Sequence, residues 1–78
     1  MKGIDLSMLK PGQSGIVSAV GHCAGRAKMV EMGLFKGKLV KVIFRAPFGD
    51  PIAVSIDGYV LALRKEEAAV IALDDVIR

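Results

Sequence analysis

Hydrophobic and polar positions alternate most regularly across the middle of the chain. Over residues 38–45, Val40, Val42 and Phe44 share one face of an extended run, and Leu39, Lys41, Ile43 and Arg45 share the other. Side chains two apart on a strand point the same way, so the all-apolar set is expected in the core. Two further runs, 52–57 and 59–64, meet at Asp57-Gly58. That dipeptide is the strongest local signal for a two-residue hairpin, because both turn positions need positive φ. Counting outward pairs Ile56 with Tyr59, Val54 with Leu61 and Ile52 with Leu63, all large and apolar. The opposite face pairs Ser55 with Val60 and Ala53 with Ala62, and a one-residue slip would mix the two sets.

The flanking segments carry shorter signals. Residues 6–12 are a lead-in ending at Pro11-Gly12, residues 15–20 read as a strand, and residues 21–25 as a loop between two glycines. Residues 26–32 predict a helix of about two turns, with Met29 and Met32 on one face. Gly33 fits a left-handed C-terminal cap, which would return Leu34 towards Met29. Residues 65–69 predict a helical turn and residues 70–73 a last strand. The sum is an all-β domain spanning residues 1–78, a small five-stranded barrel with one short α-helix inserted after the first strand.

Pro47-Phe48-Gly49-Asp50-Pro51 joins two of the strands. Its prolines and glycine specify a loop geometry. Asp50 is expected to accept a nearby main-chain N–H in an Asx-type turn, with Pro51 holding it extended. Arg64, before Lys65-Glu66-Glu67, is expected to cap or to pair with an acid.

Composition narrows the chemistry. Hydrophobic residues make up 53% of 78 positions, yet the longest apolar run is residues 68–73, far short of the ~18 to 20 needed to span a bilayer. Asp5 interrupts any leader-like run after Met1-Lys2, so a soluble cytoplasmic protein is expected. One cysteine excludes an intramolecular disulfide, and one histidine beside it is too few for a closed zinc site. His22 and Cys23 are nonetheless candidate transition-metal ligands, for weak Fe(II) or Zn(II) binding. Net charge is +3, and Lys36, Lys38, Lys41 and Arg45 are interleaved with apolar residues, which reads as a solvated strand face and not a nucleic-acid surface. Gly12-Gln13-Ser14-Gly15 lacks the lysine of a phosphate loop, and no catalytic constellation is assembled, so no enzyme is expected. With Tyr59 the only tyrosine and no tryptophan, an aromatic peptide groove and a base-stacking platform are both absent.

The pattern Leu6-x-x-Leu9-x-Pro11-Gly12-x-x-Gly15, then Met32-Gly33-Leu34, Gly37, Ala46 through Pro51, Leu61-Ala62-Leu63-Arg64-Lys65-Glu66-Glu67-Ala68 and Ile71 resembles the FeoA family of ferrous iron transport proteins. The match runs over residues 6–73. The resemblance implies an SH3-like barrel and a cytoplasmic accessory of bacterial Fe(II) uptake. Such a protein would be recruited to the inner face of the membrane by the transporter FeoB, whose GTPase it could regulate. A similar domain ends iron-dependent repressors, but no helix-turn-helix pattern precedes it here, so a stand-alone role is expected. His22 and Cys23 are not part of the family pattern.

Two functions follow from this reading. The first is a protein-interaction module, with or without self-association, whose contacts lie on the outer strand faces at Leu39, Ile43, Val60 and Ala62, or on the helix over 26–32. The second is a metal carrier or sensor using His22 and Cys23. Gly33, Pro47, Gly49, Asp50, Pro51 and Gly58 are assigned to the frame.

Overall fold

The computed structural model describes residues 3–77; Met1-Lys2, used above to argue against a leader, and Arg78 lie outside them. The chain runs β1 (Ile4–Asp5), β2 (Ser14–Val20), α1 (Arg26–Glu31), β3 (Leu39–Arg45), β4 (Ile52–Ile56), β5 (Tyr59–Leu63), α2 (Lys65–Ala68) and β6 (Ile71–Ile77). All strand pairs are antiparallel, in the order β1-β6-β2-β3-β4-β5. The five expected strands are present, with a two-residue β1 added that pairs Ile4 with Leu73. The curled sheet encloses Leu6, Leu9, Val17, Val40, Val42, Ile52, Val54, Ile56 and Ile71, all essentially inaccessible, and no polar side chain is buried among the described residues.

Local chemistry explains the elements. Gly33 takes φ +104°, and its N–H donates to the Val30 carbonyl (3.1 Å) while Leu34 N–H donates to the Met29 carbonyl (3.0 Å). This is the two-bond left-handed helix stop, and Leu34 is completely buried behind it. Asp57 (φ 50°) and Gly58 (φ 87°) form the expected turn, and the β4–β5 register matches the outward count at every pair. Tyr59 keeps its face but sits exposed at the rim, where its hydroxyl donates to the Met32 carbonyl.

Three expectations are corrected. Phe44 is not core: it is 56% exposed. The β3–β4 register shifts between Val42–Val54 and Phe44–Ala53, so Ile43 is an extra, bulged residue. A bulge inverts the facing of every residue beyond it, which sends Phe44 outward and Arg45 inward, opposite Ile52. Arg45, expected on the solvent face, is half-buried, and its Nη1 donates to the carbonyls of Ser7 (2.9 Å) and Leu9 (2.7 Å). The last strand is Ile71–Ile77, extending past the apolar pattern through Asp74 and Asp75, because β2 offers it ladder partners as far as Ser14.

Candidate functional site

The bulge builds the outer face of β3, β4 and β5. Phe44, Ala53 and Ala62 lie in one cross-strand row, and Lys41, Ser55 and Val60 in the next. Leu39 (54% exposed), Ile43 (46%) and Val60 (62%) are open to solvent, as is Ala62. All four residues read as contact candidates are therefore outward-facing. Phe44 joins them, and Lys41 is the one charge in the set. Alternation alone could not find Phe44, since nothing in residues 38–45 marks Ile43 as the extra residue.

β5 closes the sheet on one side, and α1 stands beside its free edge. Between them is an open cleft with Lys28, Met29 and Met32 on one wall and Leu61, Ala62 and Leu63 on the other. Thus the helix expected as an alternative surface and the strand face border the same hollow.

The proline loop follows directly from the C-terminal end of β3. Ala46 N–H donates to the Pro51 carbonyl (3.0 Å) and Gly49 N–H to the Ala46 carbonyl (2.7 Å). Gly49 takes φ +79°, and a Cβ there would lie 3.3 Å from Arg45 Nη2, so the loop packs on the arginine that holds the lead-in segment. Asp50 is extended, as expected, and the Asp50–Pro51 bond that follows it is cis, which was not expected. Its carboxylate does accept a main-chain N–H, but from Lys65 (3.0 Å), not from its own turn. Asp50 therefore caps the first turn of α2 from fifteen residues away. Phe48, at φ 71°, is entirely exposed. Arg64 supplies the start of α2, its N–H donating to Glu67 Oε1 (2.8 Å), one half of a capping box.

His22 is exposed, while Cys23 is half-buried and packs against the core. Among the described residues, no three His, Cys, Asp or Glu side chains come together as a metal-binding group. The pair falls short of the four ligands of a structural zinc site. No helix among the described residues is long and apolar enough to cross a membrane.

A small curled antiparallel sheet, with a helix between its first two long strands and an apolar outer face, is a protein of the SH3-like barrel class. The model of the FeoA domain matches residues 4–74, and the chain belongs to the FeoA family, which is associated with ferrous iron transport. A curated relative, the Fe(2+) transport protein A/Fe(2+) transporter FeoB fusion protein of Porphyromonas gingivalis, is 39% identical over 70 residues. That match covers 88% of this chain, and the chain spans 8% of the fusion's length. The crystal structure of Stenotrophomonas maltophilia FeoA complexed with zinc superposes with a TM-score of 0.85 at 29% identity, covering 96% of each chain. A manganese-dependent transcriptional repressor in complex with manganese gives a TM-score of 0.81 at 21% identity over 95% of this chain and 37% of its own. At that identity the likeness is one of fold alone.

Proposed function

We propose that this chain is a cytoplasmic accessory of ferrous iron uptake that docks on a FeoB-type membrane transporter through the outer face of β3, β4 and β5. The observation that carries the reading is the apolar face itself, Leu39, Ile43, Phe44, Val60 and Ala62, set on rigid strands. Contiguous exposed apolar surface on a small domain marks a contact site more often than chance exposure does. Its chemistry fits binding and offers no reacting groups. The Porphyromonas gingivalis fusion supports the choice of partner, because there the two proteins are one polypeptide. Regulation of the partner's GTPase would then act through docking.

The test is a pull-down from membranes with this chain as bait, beside Ile43→Asp/Val60→Asp. Both positions are solvent-exposed, so the double variant is expected to keep its circular dichroism spectrum and lose the transporter. A variant that restores iron uptake to a deletion strain as well as the unaltered chain does would overturn this face.

The zinc complex of the Stenotrophomonas maltophilia relative supports a second, weaker reading. Weak Fe(II) or Zn(II) binding by His22 and Cys23 would need ligands from a second copy. Anaerobic titration decides it: no affinity tighter than about 10 μM, or none lost in His22→Ala/Cys23→Ser, rejects it.

A further inference from the structure

The two edges of the sheet are unlike. β1 ends one side and is two residues long. β5 ends the other with five residues, Tyr59–Leu63, free of proline, charge and bulge. Folded proteins blunt exposed edges by shortness, charge, proline, bulges or a covering element, because a bare edge is a template for another strand. β5 uses none of the first four devices, and α1 leaves a cleft where a cover would lie.

The hairpin register fixes what this edge offers. In a two-residue hairpin the pair flanking the turn exchanges both hydrogen bonds, and such pairs alternate outward with unbonded ones. Ile56–Tyr59, Val54–Leu61 and Ile52–Leu63 are the bonded pairs. Val60 and Ala62 therefore turn their N–H and C=O groups away from β4, and no hydrogen bond among the described residues uses them. Two adjoining hollows follow the edge and share Ala62 and Leu63. One lies against Met29 and Met32 of α1, and the other reaches Arg64 and Pro51.

We infer that the free edge of β5 is a strand-addition site that takes one extended segment of a partner protein. The segment's main chain pairs with Val60 and Ala62. Its side chains alternate, one set entering the cleft against Met29 and Met32, the other continuing the apolar face beside Val60 and Ala62. The matching chemistry is an extended run with small or apolar residues on both sides. The first hollow has a cavity volume of about 110 Å³ and is open on one side, which gives room for a side chain of one slender segment. A second copy would have to bring a whole barrel, with its own α1, up to the same cleft. The assignment of the segment to the transporter's soluble part rests on the docking proposed above.

Hydrogen exchange on the unaltered chain, free and bound to solubilised transporter, reads the edge directly. Exchange at the Val60 and Ala62 amides is expected to slow by about tenfold or more on binding, as strand pairing requires. Equal exchange in both states overturns the inference. Ala62→Pro removes one outward donor and leaves the β4–β5 ladder intact, so it is expected to fold and lose about tenfold or more in affinity. Should Ala62→Pro not fold, the exchange measurement decides. If Ala62→Pro binds normally while Ile43→Asp/Val60→Asp does not, the docking face stands and the edge inference falls. No binding of the unaltered chain to the transporter overturns both. Protection of the same amides by self-association without transporter places a second copy on the edge, and overturns the assignment.

Discussion

Arg45 donates to two main-chain carbonyls, of Ser7 and Leu9, that precede it by more than thirty residues. In doing so it ties the lead-in segment, with buried Leu6 and Leu9, across the end of β3. A planar guanidinium suits this bridging better than a lysine ammonium, which concentrates its charge at one point. Its inward turn and the outward turn of Phe44 have one cause, the bulge at Ile43. The pair yields a sharp comparison. Phe44→Ala is expected to change stability by no more than about 0.5 kcal/mol, as for a surface position. Ile52→Ala, opposite Arg45 and fully buried, is expected to cost about 2–5 kcal/mol. Urea denaturation of both variants checks this, and a large loss at Phe44 would return it to the core. Of the contact face, Leu39, Ile43, Val60 and Ala62 were legible as outward positions, because each stands opposite an apolar neighbour set by simple alternation. Phe44 was not, since alternation assumes an unbroken ladder.

Elements whose boundaries depend on neighbouring residues follow the chain closely. α1 stops where Gly33 can take a φ of +104° and Leu34 can fold back, and the β4–β5 hairpin follows from Asp57-Gly58 plus two apolar faces. α2 is different. It has four residues and its first main-chain donor is satisfied by Asp50, which belongs to the proline loop. Asp50→Ala is therefore expected to lower stability by about 1 kcal/mol, the usual cost of a lost helix cap, although Asp50 lies outside the helix. Asp50→Asn, which keeps an accepting oxygen, is expected to recover most of that. Thermal melts of the two variants compare them, and equal loss in both would assign the effect to the loop and not to the cap. The loop is thus a fastener for two elements, α2 through Asp50 and the lead-in through Gly49 packed on Arg45. Phe48, which contributes full exposure and no fastening bond, is the side chain of this loop left for solvent.

The molecule as a whole rests on apolar packing. Its single cysteine cannot form an internal disulfide, and the ion pair of Lys38 with Asp57 (2.8 Å) lies partly in solvent, where such pairs contribute little. The core joins all the long strands with Leu6, Leu9, Met29 and Leu34 from outside the sheet, so no part buries its apolar side independently. Unfolding is expected to be a single cooperative transition, with a stability of about 4–12 kcal/mol from the usual per-residue range. Far-ultraviolet circular dichroism and Tyr59 emission should give superimposable urea curves; separated midpoints would show that the β4–β5 hairpin and α1, joined by the Tyr59 hydroxyl, open before the rest. The same architecture sets the outer face of β3, β4 and β5 on paired strands, which suits the docking proposed for it.

By itself the sequence determined the strand count to within the two-residue β1, the α1 stop, the hairpin register and the family. Each of these depends on residue spacing, turn chemistry or motif order within short stretches, and such signals survive without knowledge of the fold. Only the tertiary structure decided the bulge at Ile43, the bridge made by Arg45, the capping of α2 by Asp50 and the open edge of β5 beside α1. These depend on which main-chain donors and acceptors meet across the barrel. Every residue carries the same main-chain groups, so the sequence does not label which of them will be left to pair with something else.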